Sequence, residues 1–195
     1  MPKEDELYAP VRNALERFLR PFAGDRGLVH LEITASTGPS NELKQRLPSH
    51  ALFLWNVEKF KPDIMGYVAS KLIPMFYRKD IIDKLRSGVP VPQSFPRAYS
   101  LVVVEIKNEA ISFHDIYQAK GYAELYNSNV ALLISDKAVP EEVKRILHAN
   151  PKVLESATNG TRIRLAEFHA STDELHWFPS APNIWPEGHS QKSAA

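Results

Sequence analysis

The chain has no cysteine, so disulfides, thiolate zinc sites, iron–sulfur clusters and thiol nucleophiles are excluded, and any metal must bind through oxygen or histidine. It has no apolar run near the roughly 18 residues that span a bilayer. Its first residues, Met1-Pro2-Lys3-Glu4-Asp5-Glu6, lack an apolar stretch of signal-peptide type. These absences point to a cytoplasmic protein that uses no membrane. No charge of one sign dominates: 24 Lys and Arg stand against 23 Asp and Glu, so a nucleic-acid partner needs a local basic patch. The G-x-x-x-x-G-K-[ST] phosphate loop, the G-x-G-x-x-G fingerprint and the G-x-S-x-G elbow are missing as well. The seven histidines form no H-x-x-x-H or H-E-x-x-H pair.

What is present suits one globular domain over 1–186, with 187–195 read as a disordered tail. Leu7, Val11, Ala14, Leu15, Phe18, Leu19 and Phe22 recur at spacings of three and four, which predicts an amphipathic helix over about 3–22. Alternation predicts a strand over 28–34, and a polar stretch follows to Ser49 with at most a short helix at 42–47. A second strand is expected from about Phe60 to Ala69, then a helical insertion over 71–98 that ends among Pro90, Pro92 and Pro96. Leu101-Val102-Val103-Val104 is apolar on both faces, the mark of a central strand covered on both sides. Ser112-Phe113-His114-Asp115 has the capping-box form ahead of a helix to about Tyr126. A strand at 129–134, a helix at 140–148 and a C-terminal hairpin at 162–168 and 174–178 complete an α/β fold with a mixed central sheet flanked by helices.

The chemistry concentrates at the end of the central strand. Residues two apart in a strand share a face, so Glu105 and Lys107 stand together on the side lined by Leu101 and Val103. A structural ion pair at a strand tip is the plain reading. Asp63, after Pro62, opens the preceding strand, and antiparallel pairing would bring it near Glu105. Two carboxylates and a lysine suit phosphodiester hydrolysis, with hard oxygens holding Mg²⁺ or Mn²⁺ and the ammonium orienting or helping to deprotonate water. On the following helix Gln118 and Tyr122 lie four apart on one face, while Ile116, Ala119, Ala123 and Tyr126 form the face expected to pack on the sheet.

Pro62-Asp63, then Glu105-Ile106-Lys107 on a strand, then Gln118-Ala119-Lys120-Gly121-Tyr122 on a helix resembles the PD-(D/E)xK nuclease superfamily, with the Q-x-x-x-Y helix motif of its RecB-like branch. The resemblance covers roughly 3–135 and implies a restriction-endonuclease-like α-β-β-β-α-β core. It implies a metal held by Asp63, Glu105 and the Ile106 carbonyl, with Lys107, Gln118 and Tyr122 in the catalytic set. A first-helix glutamate often completes such sites; Glu6 is the candidate, with Glu16 second. The expected activity is Mg²⁺- or Mn²⁺-dependent DNA cleavage, endonucleolytic in type, and a homodimer is expected. The alternative is a catalytically inactive nuclease-like domain that binds nucleic acid or a protein partner.

Basic residues cluster at Arg12-Arg17-Arg20, at Lys71-Arg78-Lys79-Lys84-Arg86 and at Arg162-Arg164, read either as solvated faces or as the walls of a local DNA groove. His169 and His176 are able to face each other across the hairpin, where ordinary packing is expected rather than a metal. Packing is also the expected role of Trp55, Trp177 and Trp185, with base stacking the alternative.

Overall fold

The computed structural model describes residues 3–23, 27–55, 60–69, 99–158 and 160–178. The predicted insertion at 71–98 with its basic cluster, Trp185 and the predicted tail lie outside the described residues. In chain order the elements are α1 (Glu4–Ala23), β1 (Leu28–Ile33), the short helices α2 (Thr34–Thr37), α3 (Asn41–Lys44) and α4 (Ser49–Leu54), β2 (Ile64–Ala69), β3 (Tyr99–Lys107) and α5 (Phe113–Leu125). They continue as β4 (Val130–Ser135), α6 (Glu141–Ala149), a 3₁₀ turn at Pro151–Leu154, β5 (Ile163–His169) and β6 (Glu174–Phe178). Among the described residues no helix is long and apolar enough to cross a membrane.

The six strands form one mixed sheet in the order β1-β2-β3-β4-β5-β6. Its outer pairs are antiparallel, and β3, β4 and β5 run parallel, linked through α5 and α6. Because β3 and β4 are covered on both faces, their sequences carry no polar alternation. Leu7, Val11, Leu15 and Leu19 of α1 pack on one face against Val29, Leu31, Ile64, Val104 and Leu132. Ile116, Ala119, Ala123 and Tyr126 of α5 pack on the other against Met65, Leu101, Val103 and Leu133. Each such aliphatic side chain stabilises the fold by about 1.5–3 kcal/mol relative to exposure. At Gly66 an added Cβ would sit 1.9 Å from the His30 carbonyl oxygen, so only glycine permits the approach of β1 to β2 there.

The capping box forms as the sequence predicts: Ser112 Oγ accepts from the Asp115 N–H at 3.4 Å, and Asp115 Oδ2 accepts from the Ser112 N–H at 2.8 Å. The hairpin also forms, turning through Asp173 at φ 57°. Two stretches differ from the prediction. The polar stretch after β1 holds two short helices rather than one, α2 and an α3 capped by Ser40, whose hydroxyl accepts from the Leu43 N–H at 3.2 Å, and α4 follows from Ser49. The strand expected from Phe60 starts at Ile64 instead. Pro62 has no N–H to give a ladder, and the carbonyls of 60–63 bond to side chains and to the α2 amides.

Candidate active site

β2 and β3 pair with Ile64 opposite Val104 and Met65 opposite Val103. One further step of the same register sets Asp63 opposite Glu105, the arrangement in which antiparallel side chains share a face. Both residues are buried. Asp63 Oδ2 accepts the Ile106 main-chain N–H at 2.7 Å, so β3 itself fixes the carboxylate. The Ile106 side chain is fully buried in the α1-side core, which leaves its main chain to serve the site. Lys107 Nζ lies 2.6 Å from Glu105 Oε1, with the ammonium end partly exposed and the carboxylate enclosed.

Burial, then the Asp63 charge, pushes the Glu105 carboxyl well above the usual carboxylate range, more than the neighbouring Lys107 ammonium draws it back. Burial likewise raises Asp63, against the opposing pull of the Ile106 N–H and the Tyr8 hydroxyl. Burial alone would lower Lys107, but the Glu105 carboxylate 2.6 Å away holds its ammonium above the ordinary range. In the metal-free protein both acids therefore hold protons more tightly than ordinary carboxyls do. Glu105 Oε2 is buried and has no hydrogen-bond partner. An enclosed carboxylate oxygen left in this way costs about 1–3 kcal/mol or more unless a cation or proton joins it.

These features fit a hard divalent ion. Asp63 and Glu105 offer carboxylate oxygens, the donor type that Mg²⁺ and Mn²⁺ prefer. Among the described residues no three acidic or histidine side chains converge into a ready-made cage. An ion here would rest on two carboxylates, with main-chain, water and phosphate oxygens completing its shell, as is common for Mg²⁺.

The two faces of the sheet both contribute neighbours. From α5, Tyr122 accepts a hydrogen bond from Gln118 Nε2 at 3.0 Å and donates to the Lys61 carbonyl at 3.3 Å. Burial followed by the Glu105 charge raises its phenol to about 12, so it stays a donor at neutral pH. Tyr122 is nonetheless buried within the α5-side core, on the face expected to hold only Ile116, Ala119, Ala123 and Tyr126. The reason is length: the ring fills the core while its hydroxyl reaches the site. Gln118 is half-buried beside it.

From α1 the residue at the site is Glu4. Its charge acts on Asp63, Glu105 and Lys107 together, and its Oε1 accepts from the Tyr8 hydroxyl at 3.2 Å. Burial, then the Asp63 charge, raises the Tyr8 phenol, so its hydroxyl keeps its proton beside the two carboxylates. Glu6 is exposed and accepts the Lys3 N–H at 3.0 Å, capping its own helix, and is not brought to the site. Glu16 lies twelve residues beyond Glu4, roughly 18 Å along the helix axis. Tyr8 and Glu4 were missed in the sequence reading, although their i, i+4 spacing on the Leu7–Val11 stripe was available as a signal.

Other candidates are used elsewhere. Arg17 is tied to Asp173 at 2.6 Å, an exposed pair that links α1 to the hairpin turn. The His169 and His176 rings stack at 3.9 Å, each beside a glutamate of its own strand. Trp55 packs edge-on against Tyr126 and Trp177 against Phe18, in line with the packing role expected of them. Compared with protein-family models, with curated proteins and with solved structures, the chain matches none, so its function is read from its own side chains.

Proposed function

We propose that the protein is a metal-dependent DNA nuclease of the PD-(D/E)xK type, hydrolysing phosphodiester bonds with Mg²⁺ or Mn²⁺. The observation that carries this reading is the unpartnered, buried Glu105 Oε2 opposite Asp63 and beside Lys107. The Asp136–Lys137 pair also leaves a buried carboxylate oxygen unpartnered, but among the described residues only Glu105 has a second buried carboxylate, Asp63, set across from it. The order α1, β1, β2, β3, α5, β4 also agrees with the α-β-β-β-α-β core of the restriction-endonuclease-like fold.

In this reading Asp63, Glu105 and the Ile106 carbonyl hold the ion, which when bound polarises the scissile phosphate and acidifies water. The Ile106 N–H holds Asp63 in one orientation. Lys107, beside Glu105, would have its ammonium placed to orient the attacking water and to offset charge on the phosphate oxygens. Gln118 and the Tyr122 hydroxyl border the same pocket as neutral donors able to meet the DNA backbone. The test is cleavage of single-stranded, duplex, flapped and branched DNA with Mg²⁺ and Mn²⁺, set against Asp63→Asn and Glu105→Gln. Wild-type protein that binds these ions and DNA but cuts none of the substrates would establish the silent nucleic-acid-binding alternative instead.

A further inference from the structure

Four consecutive carbonyls lead into Asp63, and each one is held by a donor from another element. Phe60 O accepts from the Tyr126 hydroxyl at 2.5 Å and Lys61 O from the Tyr122 hydroxyl at 3.3 Å. Pro62 O accepts from Thr34 Oγ1 at 2.7 Å, and Asp63 O from the main-chain N–H groups of Thr34 at 2.8 Å and Ala35 at 3.2 Å. Strand pairing begins only at Ile64, so this segment has no ladder to hold it. Thr34 and Tyr126 are both fully buried.

We infer that Thr34 and Tyr126 are positioning residues for Asp63, clamping residues 60–63 by their carbonyls so that the carboxylate meets Glu105 and the Ile106 N–H. This rests on the metal-site reading for its purpose, but not for its geometry. Without the clamp the peptide units before Ile64 are free to rotate, and a carboxylate displaced by about 1 Å no longer shares an ion with its partner. Each is a single bond to one main-chain carbonyl, and its acceptor lies within three residues of the Asp63 carboxylate, so it bears directly on that group's orientation. Thr34 is the more economical device, since one residue supplies both a hydroxyl to Pro62 and an amide to Asp63.

The Ile106 amide is a direct reporter, because its hydrogen-bond acceptor is the Asp63 carboxylate. Hydrogen exchange of that amide, read by NMR on the metal-free full chain, compares wild type with Thr34→Val, Thr34→Ser and Tyr126→Phe. In Thr34→Val and Tyr126→Phe the Ile106 amide should exchange on the order of tenfold faster, while the Val104 amide inside the ladder keeps its rate. Thr34→Ser, which keeps the hydroxyl, should match wild type. Calorimetry with Mn²⁺ should show affinity weakened on the order of tenfold in the same two variants, with wild-type affinity in Thr34→Ser. An unchanged Ile106 rate in either folded variant, or equal acceleration of Ile106 and Val104, overturns the inference. Wild-type protein that fails to bind Mn²⁺ removes the metal-site reading, while the exchange rates still decide whether the clamp holds Asp63.

Discussion

Asp63 immediately precedes β2, Ile106 lies in the neighbouring β3, and the main-chain N–H of Ile106 donates to Asp63 Oδ2 at 2.7 Å. The residue entering β2 thus supplies the carboxylate and β3 the donor that aims it, so the pairing of β2 with β3 brings the two together. Glu105 and Lys107 flank Ile106 on the opposite face from its buried side chain. Three successive residues therefore present a carboxylate, a main-chain amide and an ammonium at one place.

Replacing the acids should remove metal dependence without unfolding the protein. Asp63→Asn keeps an oxygen for the Ile106 N–H, and Glu105→Gln puts a neutral amide where burial disfavours charge. Both should abolish Mg²⁺- or Mn²⁺-dependent cleavage and weaken ion binding in calorimetry. Retained cleavage in either variant would show that the two carboxylates do not hold the catalytic ion.

Lys107→Ala should separate binding from chemistry. It removes a cation 2.6 Å from Glu105, so ion binding should persist or tighten while cleavage falls by a factor on the order of 100. In the metal-free protein it leaves Glu105 unpaired, which costs up to about 3–5 kcal/mol where the carboxylate stays charged. A cleavage rate within a few-fold of wild type would reduce Lys107 to a structural counter-ion.

The pH dependence of stability follows from the raised carboxyls. The folded protein binds protons at Asp63 and Glu105 more tightly than the unfolded chain does, with Asp63 pushed up to about 6 and Glu105 to about 8. Their contribution is present at pH below the usual carboxylate range and is lost as pH rises toward about 8. Metal-free protein should therefore lose Tm between pH 5 and 8, and Glu105→Gln should flatten that loss. Millimolar Mg²⁺ should raise Tm at pH 8 far more than at pH 5, where protons compete with the ion. Equal Mg²⁺ shifts at both pH values would place the ion elsewhere.

Much of this was legible because β3 is so strongly patterned. Leu101 to Val104 mark a strand buried on both faces, and the charges at 105 and 107 then stand out against it. The capping residues Ser112 and Asp115 fix the start of α5 locally, so Gln118 and Tyr122 fall at the expected end of the sheet. The 60–63 segment was misread because its hydrogen bonds are tertiary: Thr34, Tyr122 and Tyr126 replace the ladder that a strand would have used. Tyr122 was placed outside the core because spacing distinguishes helix faces but not how far a long ring extends. The first-helix acid was misplaced because Glu4 and Glu6 both fall in the first turn, and only packing of the Leu7–Val11 stripe reveals which one turns inward.

Tyr122 should behave as both a core and a site residue. Tyr122→Phe keeps the ring and removes the bond to Lys61 O, so it should cost about 1 kcal/mol in urea unfolding and still slow cleavage. Tyr122→Ala also opens a cavity and should cost about 3–5 kcal/mol. Gln118→Ala, at a half-buried position, should change stability by no more than about 0.5 kcal/mol while impairing cleavage. Wild-type cleavage rates in both Tyr122→Phe and Gln118→Ala would show that the helix pair lies outside the chemistry.

The first-helix glutamates supply the sharpest contrast, because they are two residues apart and nearly opposite on a helix that turns about 100° per residue. Glu4 shares the stripe of Leu7, Tyr8 and Val11, and its charge acts on Asp63, Glu105 and Lys107. Glu6 faces solvent, where it accepts the Lys3 N–H. Glu4→Gln removes a negative charge from the pocket and exchanges the acceptor for Tyr8, so Mn²⁺ affinity should fall several-fold and single-turnover cleavage on the order of tenfold. Glu6→Gln should leave both within about twofold and cost at most a few tenths of a kcal/mol through weakened helix capping. If Glu6→Gln lost the greater share of activity, α1 would have to rotate in the working enzyme, and the contacts of Glu4 and Tyr8 with the site would belong to a resting arrangement.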